Sequence, residues 1–357
     1  MNIADQWRGD VDARIHDTLA ETAQAIAPIG PAATDLTEVI TSAAAGGKRL
    51  RAILTLASHA GYGGDSHDQA VKVAAAIELF QTAALLHDDV LDDSDTRRGR
   101  PAAHRTLAAL HADHGWHGSS KEFGSAGAIL AGDIVLMACQ RALHHALEGM
   151  DNRARTRVAA FFTEMTELVT AGQYLDMRIA ASPLDTLSDQ ETDIRATMRT
   201  KTASYSAEFP LALGAAAAGA SADAITTIRE VGVPLGVAFQ LRDDVLGVTG
   251  SPAVTGKPAG DDIREGKRTL IAWRAWRAAS ADQRTVLSST LGNRNASDAA
   301  VARVVELFES TGALAATERE IDSLATGALN ALTELKLQEP GASLLVEAFT
   351  AATSRTS

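Results

Sequence analysis

Only one cysteine, Cys139, occurs in the 357 residues. That excludes an internal disulfide and a Cys-based zinc site, and it fits a reducing compartment, the cytoplasm. Basic residues are also short: 33 Lys and Arg against 45 Asp and Glu give a formal net charge of −12. Such a balance speaks against nucleic acid or an anionic membrane as a partner, because phosphate backbones and acidic lipids do not attract it. No uncharged apolar run reaches about 18 residues, so no membrane span is expected. No basic-then-apolar leader is read at the N-terminus. Aromatic residues make up 4% of the chain, whereas hydrophobic residues make up 46%. The apolar content is mostly Ala and Leu, the composition of close-packed helices with a large core. The length would hold two average domains, but that is a soft prior. We expect an all-α chain forming one domain over residues 1–357, with an outer N-terminal helix in 1–35 and a frayed tail at 353–357.

The stretch with most chemistry runs from Glu78 to Pro101. An apolar helix without Gly or Pro delivers Asp88, Asp89, Asp92, Asp93 and Asp95, followed by Arg97 and Arg98, and Gly99 and Pro101 then close the helix and open a loop. Asp88 and Asp92 are four apart and share a helix face, with Asp89 flanking them. Clustered carboxylates at a helix end suit a hard ion such as Mg²⁺, which usually shares phosphate oxygens of a substrate. A lone run of this kind is more often a solvated charge cluster. A second copy downstream changes that balance. An apolar helix, Val231 to Leu241 with Pro234 near its start, ends in Asp243 and Asp244, and Lys257, Arg264, Lys267 and Arg268 follow. Two carboxylate-bearing helices, each trailed by cations, describe a pocket for a diphosphate. Upstream, Gly46-Gly47-Lys48-Arg49-Leu50-Arg51 adds two glycines that let backbone approach an anion, and three cations.

These segments together resemble the trans-isoprenyl (polyprenyl) diphosphate synthase family. The resemblance implies an all-α helical bundle around a central cavity, usually homodimeric. It implies an enzyme that condenses isopentenyl diphosphate with allylic diphosphates (dimethylallyl, geranyl, farnesyl), with Mg²⁺ at three ions per active site. It assigns Asp88, Asp89, Asp92 and Asp243 to metal, and Lys48, Arg51, Gln81 and Arg98 to isopentenyl diphosphate. Arg97, Lys201, Thr202, Gln240 and Lys257 fall to the allylic diphosphate, while Gln173, Asp176 and Asp244 support the network. Arg49 could face either way. Gly247 departs from the pattern, which usually reads DDxxD; Asp261 and Asp262 are near enough in sequence to compensate.

Product length in such enzymes is set on the helix before the first aspartates. Here Ala84 and Ala83 are small, and Phe80 and Ile77 are the next bulky residues. A floor about one turn deeper, roughly 5 Å, admits about one more isoprene unit, so the twenty-carbon geranylgeranyl product is expected, with farnesyl or longer chains as alternatives. A terpene cyclase would not need the isopentenyl residues, and a non-catalytic partner subunit would tend to lose the aspartates. Elsewhere, His104 to Gly118 reads as a mobile loop whose four histidines are not read as a zinc site. Asp133 reads as structural or a capping group, and Arg153–Ala180 and Thr192–Ala207 as ordinary helices.

Overall fold

The computed structural model describes residues 2–250 and 260–353. Its elements are helices apart from one two-residue hairpin. Contacts divide the chain into two compact units: Met1–Phe161, Pro210–Ile225 and Leu337–Leu345 in the first, and Phe162–Phe209, Thr226–Lys336 and Val346–Ser357 in the second.

In the first unit, α1 (Ile3–Ile26) is capped by Asn2 and buries Trp7, Val11 and Ile15. Its buried stripe then passes to Thr18 and Thr22, and both hydroxyls donate to carbonyls one turn back, at 2.9 Å. α2 (Pro31–Ala44) starts at a proline, which suits the first helical position because its missing N–H is not needed there. The expected boundary at 35 therefore falls inside α2. α3 (Leu50–Gly61) is buried on nearly every side.

α4 (His67–Leu91) begins at the cap Ser66 and packs against α3 and α6 (Ser120–Glu148). Both α4 and α6 are long and apolar enough to cross a membrane, which the scattered charges hid in the sequence; 72% of the most apolar window of α4 is buried, against 39% for α6. α4 is thus a core helix, whereas α6 leaves Phe123, Ile129, Leu130 and Met137 exposed.

α4 ends at Leu91, not at Gly99 and Pro101 as the sequence suggested. Beyond it Thr96–Arg97 pairs antiparallel with Arg100–Pro101. The connecting Arg98 and Gly99 both have positive φ, 53° and 72°, as a two-residue hairpin turn requires. The supposed histidine loop is largely helix: α5 (Ala103–Asp113) buries His104 and His111.

In the second unit, α7 (Asn152–Ala181) continues from the first, and α8 (Glu191–Thr197) leads into a π-helix, Met198–Glu208, where an ordinary helix was expected. α9 (Phe209–Ala217) returns, from Pro210 on, to the first unit. α10 (Ala222–Thr249) is one helix with Pro234 inside it, so the proline does not mark its start and Asp243–Asp244 do not mark its end. The core of this unit gathers Ile194, Met198, Leu241, Val245, Trp273, Trp276, Leu287 and Phe308. Thr353 closes the last helix, Gly341–Thr353, and residues 354–357 of the expected frayed tail lie outside the described residues.

Candidate active site

The first aspartates sit where α4 stops. Asp92 caps the helix, its N–H donating to the Asp88 carbonyl at 2.8 Å, so the two remain one turn apart as their spacing implies. The hairpin turns the chain back and delivers Arg97 to Asp89, with Nε at 2.9 Å and Nη2 at 2.5 Å from Oδ1. Arg97 Nη2 also lies 3.8 Å from Asp88 Oδ2. Burial pulls the Arg97 guanidinium downward, but Asp89, Asp88 and Asp92 outweigh it and hold it above its ordinary value. Asp93 pairs instead with Arg105 and Lys121, at 3.1 and 3.2 Å, and Asp95 with Arg105 at 2.9 Å. Three of the five aspartates therefore form the candidate centre. His87 stands over Gly132, where no side chain fits, with Nε2 3.0 Å from the Ile129 carbonyl and 3.5 Å from Asp133. Asp133 lies mid-helix and is not a cap.

The cationic loop settles Arg49, which faces inward. Its guanidinium donates to Asp12 at 2.8 Å and to the Ala44 carbonyl at 2.8 Å, and it lies 3.4 Å from Glu78. Glu78 also accepts the Ala52 N–H at the start of α3, at 3.1 Å. Of the flanking cations, Lys48 is exposed, and the buried Arg51 donates to Gln81 Oε1 at 2.7 Å. Arg98 reaches the glycine loop and donates to the carbonyls of Ala45 and Gly46, at 2.9 and 3.3 Å. A side chain at Gly47, where φ is 96°, would meet Arg98 Nη2 at 3.1 Å. Burial first, and then the neighbouring charges of Arg49, Arg97 and Arg51, lower the Arg98 guanidinium, with Glu78 opposing. Arg98 is thus a cation with other cations beside it, and an anion bound there would relieve it.

On α4, Ala84 is half-buried, whereas Ala83 and Ile77 are fully buried and Phe80 nearly so. At roughly 100° per residue, Ala84, Gln81 and Ile77 align with Asp88, while Ala83 points well away.

In the second unit, Lys201 Nζ lies 2.6 Å from Asp176 Oδ2. α7 approaches the π-helix at Gly172, whose added Cβ would stand 2.5 Å from the Lys201 nitrogen. Lys201 and the buried Thr202 both lie on the π segment, a rare form that recurs at functional sites. Gln173, half-buried, precedes Asp176 by one turn on α7.

Further on, Gln240 Nε2 donates to Asp244 Oδ1 at 2.6 Å. Burial, and then the charge of Asp262, push the Asp244 carboxyl up to about 8, against Gln240 and Lys267. Asp243 is half-buried beside it. Lys257 lies outside the described residues. Lys267, which the sequence reading left without a role, pairs with Asp262 at 3.2 Å and with Glu265 at 3.1 Å. Arg268 Nε and Nη1 are buried without a hydrogen-bond partner among the described residues, and burial lowers this guanidinium.

At the end of α4 the side chains of Asp88, Asp89 and Asp92 offer carboxylate oxygens, and on α10 those of Asp243 and Asp244 do the same. Oxygen donors of this kind suit a hard divalent cation such as Mg²⁺ and not a soft one.

The chain matches the family model described as polyprenyl synthetase over residues 33–308. It is 34% identical to the geranylgeranyl diphosphate synthase of Saccharolobus solfataricus, over 74% of this chain and 73% of that one. It is equally 34% identical to the geranylfarnesyl diphosphate synthase of Aeropyrum pernix, over 76% of this chain and 78% of that one. Among solved structures it superposes on the Corynebacterium glutamicum geranylgeranyl pyrophosphate synthase, complexed with isoprenyl diphosphate and magnesium, with a TM-score of 0.90 and 34% identity, covering 100% of both chains. With its aspartates, glycine loop and paired arginines in place, the chain belongs to the polyprenyl synthetase family.

Proposed function

We propose that the chain is a Mg²⁺-dependent prenyltransferase that condenses isopentenyl diphosphate head to tail with dimethylallyl, geranyl and farnesyl diphosphates, chiefly to geranylgeranyl diphosphate. The observation that carries this reading is the cationic group at the glycine loop, where Arg98 donates to the Ala45 and Gly46 carbonyls and Arg51 to Gln81, a set of contacts separate from the Arg97–Asp89 pair. A second anion-binding group of this kind is what an elongating enzyme needs and a cyclase does not.

Lys48, Arg51, Gln81 and Arg98 hold the isopentenyl diphosphate, Gln81 also accepting from Arg51 through its amide oxygen. Arg97, Lys201, Thr202, Gln240 and Lys257 serve the allylic diphosphate. Arg97 and Lys201 rest on Asp89 and Asp176, so an arriving diphosphate exchanges one anionic partner for another. Asp88, Asp89, Asp92 and Asp243 are the metal ligands, three ions being the family's number, with Gln173, Asp176 and Asp244 supporting. Bound Mg²⁺ supplies neutralisation of the leaving diphosphate. The arginines and lysines add to that charge, so the allylic C–O bond breaks to a carbocation. The Thr202 hydroxyl oxygen presents its dipole to the developing cation, and apolar walls keep water from it. The isopentenyl double bond attacks, and the proton leaves to the released diphosphate.

The exposed apolar face of α6 supports self-association as a homodimer. The chain passes repeatedly between the two units, so neither is a contiguous segment, and we read 1–357 as one domain.

The test is incubation with Mg²⁺, labelled isopentenyl diphosphate and each allylic primer in turn, with product lengths resolved. A main twenty-carbon product is expected. A folded protein that elongates no primer overturns the reading, and turnover of an allylic diphosphate alone to a hydrocarbon moves it to a cyclase.

A further inference from the structure

The π segment that carries Lys201 and Thr202 runs from Met198 to Glu208, and its backbone lies against two other helices at glycines. A Cβ at Gly172 of α7 would stand 2.5 Å from the Lys201 nitrogen, and one at Gly236 of α10 would stand 2.5 Å from the Ala203 Cα. Both helices thus leave room for the wide turn by carrying no side chain where it touches them. Room alone does not hold a rare helical form in place.

Arg199 and Glu208, the second and last residues of the segment, supply the hold. Arg199 Nη1 lies 2.5 Å from Glu208 Oε2, and Glu208 is 2% exposed. The two residues are nine positions apart. At roughly 100° per residue, nine steps of an α-helix make about two and a half turns and end on the opposite face. With i→i+5 bonds the same nine steps close about two turns and return to one face. The pair therefore suits the π form and not the α form. Glu208 is also anchored from outside the segment. Arg229 of α10 donates through Nε to Glu208 Oε1 at 2.9 Å and through Nη2 to Glu164 of α7 at 2.7 Å. The same guanidinium lies 4.7 Å from the centre of the Phe209 ring, close enough for a cation–π contact.

We propose that the Arg199–Glu208 pair is the lock that keeps this segment a π-helix, and that both are positioning residues for Lys201 and Thr202 between them. The inference rests on the functional reading above, which gives those two side chains to the allylic diphosphate. Opening the lock returns the segment to the narrower turn and withdraws Lys201 and Thr202 from the primer. The residues that serve isopentenyl diphosphate stand on other elements and keep their places.

The test is steady-state kinetics with farnesyl diphosphate and isopentenyl diphosphate, beside thermal melting. Arg199→Met opens the lock while Glu208 keeps Arg229, so no buried charge is left alone and the fold is expected to hold. It is expected to lower kcat and to raise the KM for farnesyl diphosphate about tenfold, the lower cost of losing one charge-assisted contact. The KM for isopentenyl diphosphate should stay as in the wild type. Glu208→Gln should act in the same direction, and Arg199→Lys, which keeps a cation for Glu208, should restore most of the loss. Glu164→Gln removes a carboxylate from the same cluster but not the lock, and should leave both KM values unchanged. An Arg199→Met variant with the wild-type KM for farnesyl diphosphate, or with both KM values raised alike, overturns the inference. So does a Glu164→Gln variant that matches Arg199→Met. A folded wild-type protein that elongates no primer would overturn the functional reading instead.

Discussion

Arg49 Nη1 lies 3.4 Å from Glu78 Oε2, with neither side chain more than 5% exposed. This pair secures the glycine loop from beneath, since the same arginine holds Asp12 and the Ala44 carbonyl while Glu78 caps α3. Breaking such a pair leaves a buried charge alone, at a cost of about 3–5 kcal/mol. Arg49→Met should lose that much in urea denaturation and raise the KM for isopentenyl diphosphate more than that for the primer. Arg49→Met with Glu78→Gln should recover part of the stability. Unchanged stability in the single variant would refute the pairing.

Ala84 and Ala83 are adjacent in sequence but differ in what surrounds them. Ala84 is half-buried in line with Asp88, whereas Ala83 is fully buried. Ala84→Phe should shorten the main product by about one isoprene unit, raising the floor by roughly one turn. Ala83→Phe should instead overpack the core and cost about 1–3 kcal/mol, with product length little changed. Chromatography of the products beside a melting curve separates the two effects.

Asp244 gives a pH dependence whose sign follows from its burial. In the folded, metal-free protein its carboxyl is raised to about 8, against about 3.9 in an unfolded chain. Because the folded form keeps a proton that the unfolded chain releases, this contribution to stability is complete below about pH 4 and lost as pH rises through about 8. Metal-free Asp244→Asn should therefore lose less Tm than the wild type between about pH 5 and about pH 9. Parallel profiles would mean that Asp244 is ionised.

Leu130 and Met137 are 56% and 63% exposed on α6, so replacing them costs the isolated chain little. Leu130→Glu with Met137→Glu should sediment as a monomer where the wild type sediments as a dimer. A wild-type chain that sediments as a monomer at micromolar concentration would remove the self-association reading.

What was legible in the sequence was local. The spacing of Asp88 and Asp92, the apolar helix that leads up to them, and the basic residues around Gly46 and Arg98 all follow from periodicity and turn chemistry. What was not legible depends on residues far apart in the chain. Arg49 faces inward because Asp12 and Glu78 meet it there, and neither is near it in sequence. The hairpin at Arg98-Gly99 had a signal, a glycine where positive φ is needed, that the reading spent on ending a helix. Pro234 looked like a helix start because a proline inside a helix forfeits a hydrogen bond, a cost that α10 bears. Asp262 was named beside Gly247, but only three-dimensional contact shows that its carboxyl takes the volume a side chain at Gly247 would fill. Lys267 went unassigned because a lysine among basic neighbours has no signature until its carboxylates are found.

The π segment from Met198 to Glu208 has a further consequence. Its i→i+5 bonds each span one more residue than those of an α-helix, so it acts as a phase shifter between the helices on either side. Any apolar rhythm counted across it drops out of step, although each flank keeps its own. Deleting one residue within it would let the helix relax into the ordinary pitch and turn Lys201 and Thr202 by roughly 100° relative to one flank. The angular setting of those two side chains is thus written in the number of residues between Thr197 and Phe209, and not in their identity alone.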